Sequence, residues 1–220
     1  MLSPSFTWHF RAVPLKHIAF DLDGTLIDTR DQIVESIAAC VPTRAAVRIR
    51  KALRDTTSVS PKAVLHAYGI HSLIDYWRHH AANVGLAKLY AADTKRLLRE
   101  LNEAGFTLSL VTSLPAPPAH ALLQAFHLDD CFSLVDTYAS RRFRKPSPKL
   151  LIEHLSVLKV LCENAAYVGD SVGDMAMAAG ARARAWGAGW GVADALTLKR
   201  AGSVRVFRSL QELAKTAQGR

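Results

Sequence analysis

At 220 residues the chain can bury a sizeable core, as one domain or as one domain carrying an insertion. Half of it is hydrophobic and 21% charged, which argues against extensive disorder, and no apolar run approaches the ~20 residues of a membrane-spanning helix. The net charge of +9 suits an anionic partner, either nucleic acid or a small phosphorylated molecule, but it suits a basic solvated surface equally well.

The first fifteen residues, "MLSPSFTWHFRAVPL", lack the long apolar stretch and small-residue cleavage site of a secretory signal. They carry Arg11 and two serines without an acid, the composition of a weak organellar signal. The expectation for 1–15 is a disordered or partly packed N-terminal extension. Cys40, Cys131 and Cys162 are odd in number, widely spaced and form no C-x-x-C pair, which predicts free thiols in a reducing, cytoplasmic setting.

"KHIAF" (16–20) opens the regular structure as a short apolar strand. From about 30 to 88 no strand pattern appears, and helical patterns follow one another. "RDQIVESIAACV" stops at Pro42, "RAAVRIRKAL" carries Val47, Ile49 and Leu53, "SPKAVLHAYG" runs from Ser60–Pro61 to Gly69, and "SLIDYWRHHAANVG" comes next. About 60 residues between consecutive strands far exceeds an ordinary connection and suggests a lid, so the spacing predicts a helical cap.

Beyond it, "ADTKRLLRELNEAG" reads as a helix with Asp93 at its cap, Gly105 as its stop, and an apolar face of Leu97, Leu98, Leu101 and Ala104. Strands are expected at "FTLSLV" (106–111), "FSLV" (132–135), "AAYV" (165–168), "RARAW" (182–186) and "VRVF" (204–207). Between them, "SPKLLIEHLSVL" has Ser147 at a cap and Pro148 at the first helical position, and "SLQEL" puts Ser209 and Glu212 at capping-box spacing. The alternation predicts an α/β, Rossmann-like and mainly parallel sheet with helices on both faces. The expected division is a core of 16–29 and 89–220, with the all-α cap at 30–88 inserted after the first strand.

Sites in such sheets form at the carboxyl ends of the strands. Asp21 and Asp23 follow the first strand, Thr112 and Ser113 the second, and Asp170 and Asp174 the fourth, while Lys145 precedes a helix start in "RKPSP". Four carboxylates at short range repel one another unless a cation sits among them, and hard oxygen ligands suit Mg2+. With such an ion, one carboxylate can attack phosphorus while another moves protons, and a hydroxyl with an ammonium can hold the phosphoryl oxygens. Residue types and placement therefore point to phosphoryl transfer.

Four segments in this order, "DLDGT" (21–25), "VTS" (111–113), "KPSP" (145–148) and "GDSVGD" (169–174), resemble the motifs of haloacid dehalogenase-like phosphatases. The similarity is to the subgroup of phosphoglycolate phosphatase and β-phosphoglucomutase, covers roughly residues 16–212, and extends to "GARARAWGAGWG" (180–191). The resemblance implies Asp21 as nucleophile, Asp23 as general acid and base, and Thr112, Ser113 and Lys145 as phosphate ligands. It implies Mg2+ held by Asp21, Asp170 and the Asp23 carbonyl, with Asp174 a ligand or an outer partner. Haloacid dehalogenases proper lack an acid at the position of Asp23, so the resemblance favours phosphate chemistry. The proline-rich "LPAPPAH" after the second motif and a somewhat short cap depart from the pattern and leave the substrate open.

Blander roles weigh against each of these. Asp170 could serve as the cap of the helix that follows it, and Lys145 competes with Arg141, Arg142 and Arg144. The expectation for His66, His71, His79 and His80 is the surface, since adjacent histidines on a helix point about 100° apart and pair poorly on a metal. Trp77 and Trp186 are expected in the core. Of the basic cap residues, Arg48, Lys51 and Arg54 are candidates to meet an anionic substrate tail, although a solvated helix face accounts for each of them more simply. The resulting reading is a Mg2+-dependent, phosphoglycolate phosphatase-like enzyme acting on a small phosphorylated substrate, with no membrane partner. The alternatives are a phosphomutase with the same residues, and a non-catalytic basic protein that binds nucleic acid or regulates. The intact catalytic set and the lack of an aromatic-basic RNA motif argue against the last.

Overall fold

The computed structural model describes residues 14–53, 60–140 and 142–220, so expectations for residues 1–13, for Arg54 and for Arg141 fall outside the described residues. The chain enters through β1 (His17–Phe20), which is fully buried, and turns into the two-residue β2 (Ile27–Asp28). Four helices follow: α1 (Arg30–Ala39), α2 (Thr43–Leu53), α3 (Pro61–Ala67) and α4 (Ile74–Ala82). The two-residue β3 (Lys88–Leu89) then pairs antiparallel with β2, Ile27 opposite Leu89 and Asp28 opposite Lys88. This ribbon escaped the sequence reading because two residues carry no periodicity.

From there helices and strands alternate as the pattern predicts. They are α5 (Thr94–Glu103), β4 (Thr107–Val111), α6 (Ala116–Ala125), β5 (Val135–Asp136), α7 (Pro148–Val157) and β6 (Ala165–Gly169). The chain ends with α8 (Val172–Gly180), β7 (Arg184–Ala188), α9 (Ala195–Arg200), β8 (Arg205–Phe207) and α10 (Leu210–Ala217). Among the described residues the large sheet has six strands, all parallel, in the order β5-β4-β1-β6-β7-β8. Two boundaries shift from expectation. Arg182 adopts a left-handed φ of 61° and cannot extend a strand, so β7 begins at Arg184. The 132–135 run bonds to β4 through the Ser133 amide (2.9 Å to the Leu108 carbonyl) before the short ladder of Val135 and Asp136 forms.

Strand alternation separates two core layers. Ile18 and Phe20 of β1 point to one face, packed with Leu97, Leu98 and Leu101 of α5 and Leu122 of α6. Ala19 points to the other, with Leu151 and Leu155 of α7 and Met175 of α8. The expected fourth apolar residue of α5, Ala104, is exposed, and Asp93 stands at its N-cap without a capping bond, its carboxylate accepting instead from Gln211 Nε2 at 2.9 Å. Ser209 does cap α10, accepting from the Glu212 amide at 3.2 Å.

Helices α1 to α4 enclose a third apolar cluster of their own, centred on Ile37, Ile49, Leu65 and Tyr76. His80 belongs inside it and not on the surface. It is fully buried, and Gln32 Nε2 reaches both its Nδ1 (3.1 Å) and its carbonyl (2.6 Å) from 48 positions away. That distant partner meets one ring nitrogen, which is why local helix geometry gave no sign of it. His66 and His71 are exposed, as expected, and Trp186 packs in the core against Phe207 at 5.2 Å.

Candidate active site

β1 lies at the middle of the sheet, and the chain leaves it toward β4 on one side and later returns to β6 on the other. The carboxyl ends of these strands therefore border the crevice where α/β sheets bind ligands. Asp21 continues the register, its amide donating to the Val168 carbonyl of β6 at 2.8 Å. A tight loop then reverses the chain, with the amides of Leu26 and Ile27 both donating to the Leu22 carbonyl. Gly24 makes the loop possible. Its φ is +83°, and a Cβ there would sit 2.2 Å from Asp170 Oδ2.

Lys145 is the hub of the charges. Its Nζ lies 2.8 Å from Asp21 Oδ1 and 2.8 Å from Asp174 Oδ1, with only 9% of the side chain exposed. Burial works against the ammonium, but Asp174 and Asp21 outweigh it and hold Lys145 above its ordinary range. The acids respond in the opposite direction. Burial pushes Asp21 up to about 7; Lys145 opposes the shift, while Asp174 and Asp170 add to it. Asp170 is also pushed up to about 7, first by burial and then by Asp174, although the Val192 amide donates to its Oδ2 at 2.9 Å. Asp23 is pushed up to about 6 by burial, against a hydrogen bond donated by the Thr29 hydroxyl.

Asp170 is not the cap of α8. Ser171 takes that place, its Oγ accepting from the Asp174 amide at 3.2 Å, while Asp174 Oδ2 accepts from the Ser171 amide at 3.0 Å and from its hydroxyl at 2.6 Å. Asp174 is thus both a capping-box residue and the partner of Lys145. The S-x-x-D spacing could have disclosed this. Tyr167 lies beneath, its hydroxyl donating to the Val111 carbonyl at 2.9 Å, with Lys145 Nζ 5.4 Å above its ring. Thr112 is buried, fixed by its amide to the Asp136 carbonyl at 2.9 Å, and Ser113 beside it is exposed.

The predicted catalytic, phosphate-holding and metal-holding residues other than Asp174 line one cavity of about 340 Å3, and Asp174 is joined to it through Lys145. One ligand oxygen each from Asp21, Asp170 and Asp174 lies within 4.8 Å of the others. Three buried carboxylates against a single ammonium leave an excess of negative charge on hard oxygen donors, a set that fits a divalent cation such as Mg2+. Arg48 and Lys51 are exposed and stand outside the cavity, where, among the described residues, the cation from the helices is Arg30. Trp77, expected as core, packs on it and also lines the cavity. Two contributors went unread. Trp190 Nε1 donates to the Thr25 carbonyl at 2.8 Å and tethers the loop after Asp23. Gly191 lies so close that a Cβ would be 2.4 Å from the Gly24 carbonyl oxygen.

The family model for haloacid dehalogenase-like hydrolases matches residues 18–188. The phosphoglycolate phosphatase of Chromobacterium violaceum is 28% identical over 218 residues, 91% of this chain and 97% of that protein. Pyrophosphatase PpaX of Anoxybacillus flavithermus is 32% identical over 187 residues, 79% of this chain and 83% of that protein. A hydrolase from Pseudomonas syringae shares the fold with a TM-score of 0.72 at 23% identity, over 94% of this chain and 99% of that one. The chain belongs to the haloacid dehalogenase-like hydrolases, as a phosphatase acting on phosphate esters.

Proposed function

We propose that the chain hydrolyses phosphomonoesters of small metabolites through a covalent intermediate on Asp21. An Asp21 oxygen attacks phosphorus, the ester P–O bond breaks, and its electron pair leaves with the ester oxygen, which takes a proton from Asp23. A carboxyl pushed up to about 6 is well placed to give that proton near neutrality. Asp23 then accepts a proton from water as the water oxygen attacks phosphorus. The Asp21–phosphorus bond breaks, inorganic phosphate leaves, and both aspartates return to their starting forms.

Lys145, Thr112 and Ser113 hold the non-bridging oxygens. Lys145 also fixes the attacking carboxylate, a role supported by its 2.8 Å approach to Asp21. Mg2+, bound by Asp21, Asp170 and the Asp23 carbonyl, would offset negative charge on the phosphoryl group. Asp174 has both oxygens engaged by Lys145 and Ser171, which supports an outer role. Residues 30–88 act as a cap whose helices shut water out of the chamber. The free thiols of Cys40, Cys131 and Cys162 agree with a reducing cytoplasm.

The observation that carries this reading is the buried Asp21–Lys145–Asp174 chain at the end of the central strand, with Asp23 lining the same cavity. Its test is Mg2+-dependent release of p-nitrophenol from p-nitrophenyl phosphate. Asp21→Asn is expected to lower kcat by at least about 1,000-fold. Full activity in that variant would remove Asp21 as the nucleophile.

A further inference from the structure

The phosphate-holding end of the chamber accounts for only half of its wall. The other half comes from α1, α2, α4 and the bend just after β3, through Ile33, Val34, Leu53, Tyr76, Trp77 and Tyr90. Tyr76 and Trp77 meet edge to face at 4.7 Å, and Trp77 and Tyr90 are half-buried, leaving ring surface to the cavity. Arg30 is the cation on this side among the described residues, and it is already engaged. Its Nε and Nη2 reach the two Asp28 oxygens at 2.9 and 2.6 Å, a fork-to-fork pair that leaves little charge for a ligand. Elsewhere on the helical segment Arg50 is paired with Glu35 at 2.8 Å, and Lys88 with Asp31 at 3.5 Å.

Resting on the phosphomonoesterase reading above, we infer that the substrate's leaving group is uncharged, bulky and apolar, and carries a ring that packs on Trp77 and Tyr90. An anionic leaving group would bring a second charge against a largely apolar wall whose cation among the described residues, Arg30, is paired with Asp28, and would lose its hydration with little compensation. A two-carbon leaving group would leave most of about 340 Å3 to water, in a cavity within the size range of sites that enclose far larger ligands. The kinship with phosphoglycolate phosphatases then concerns the phosphate-holding half of the chamber, and the helices set a different specificity.

The test compares three alkyl esters whose leaving alkoxides have similar intrinsic reactivity: 2-phenylethyl phosphate, ethyl phosphate and 2-phosphoglycolate, each with Mg2+. Expected is a kcat/KM for 2-phenylethyl phosphate at least ten-fold above both others, with the phenylethyl-to-ethyl ratio falling at least five-fold in Trp77→Ala. Equal values, or a preference for 2-phosphoglycolate, would overturn the inference. A parallel titration with 2-phenylethylphosphonate and ethylphosphonate, followed by tryptophan fluorescence, reads binding without turnover. Tighter binding of the phenylethyl compound with no hydrolysis of any ester would keep the leaving-group assignment and reject the phosphatase reading. Indifference between the two phosphonates rejects the leaving-group assignment even if Trp77→Ala fails to fold.

Discussion

Asp174 has its oxygens committed within the fold, one to Lys145 and one to Ser171, whereas Asp170 gives one oxygen to the Val192 amide and otherwise faces the cavity. Opposite responses to the same substitution follow. Asp174→Asn removes the charge that holds Lys145 and weakens the start of α8, so urea denaturation should show a loss of about 1–3 kcal/mol. Asp170 ionises against its surroundings, with its carboxyl pushed up to about 7. At pH 8 without metal, Asp170→Asn should therefore gain about 1 kcal/mol while losing Mg2+ affinity and activity. A loss of stability in both variants would refute this division of roles. The sequence brought both acids to the site by spacing, but it could not rank them, because the ranking depends on which hydrogen bonds each oxygen already makes. The same holds for the cationic contact: Arg30, beside the strand end, reaches the cavity, while Arg48 and Lys51 face away.

Most strands and helices were legible because glycine, proline and capping residues punctuate them, but the buried polar links between them were not. Ser109 on β4 stands between two histidines, 2.7 Å from His17 Nε2 of β1 and 2.7 Å from His154 Nε2 of α7, whose Nδ1 meets Asp136 of β5 at 2.7 Å. Partners up to 92 positions apart leave no local trace in the sequence. Ser109→Ala would strip two buried rings of a partner and should cost about 2–4 kcal/mol by urea denaturation. Burial, and then His154, pushes His17 down to about 4, and burial alone pushes His80 to about 4. A histidine depressed in the folded state contributes stability that is fully present above its unfolded pKa of about 6.5 and is lost as pH falls toward 4. Denaturation midpoints should decline across that window, and His80→Gln should flatten the decline; an equally steep profile in that variant would exclude His80 as a source.

For the whole molecule, two sets of buried groups pull the pH dependence in opposite directions. Asp21 and Asp170 have folded pKa values raised to about 7, so their contribution is present below about pH 4 and is lost as pH rises through 7. The histidines act in reverse between about pH 4 and 6.5, so the two sets offset one another there, and the metal-free protein should lose stability as pH rises from about 6.5 through 7. A divalent cation neutralises the carboxylate cluster. Mg2+ should therefore raise Tm by several degrees at pH 8, do little at pH 5, and offset the loss above about pH 6.5. Thermal unfolding at both pH values with Mg2+ and with EDTA decides the point, and an equal shift at pH 5 and 8 would place the ion elsewhere. The net charge of +9 told nothing of this, since the surface is basic while the site is acidic.

The β2–β3 ribbon fastens the two ends of the 30–88 segment side by side with only two residue pairs. Backbone pairing at the junction is confined to these residues, while Trp77 of α4 packs against the core beyond it. Such an arrangement would let the helical segment be exchanged as one contiguous piece. A homologous segment could be grafted between Asp28 and Lys88, lengthened or shortened, at little entropic cost to the sheet. Replacing that one stretch, with the strand-end aspartates kept, would then alter the substrate-facing wall without rebuilding the sheet.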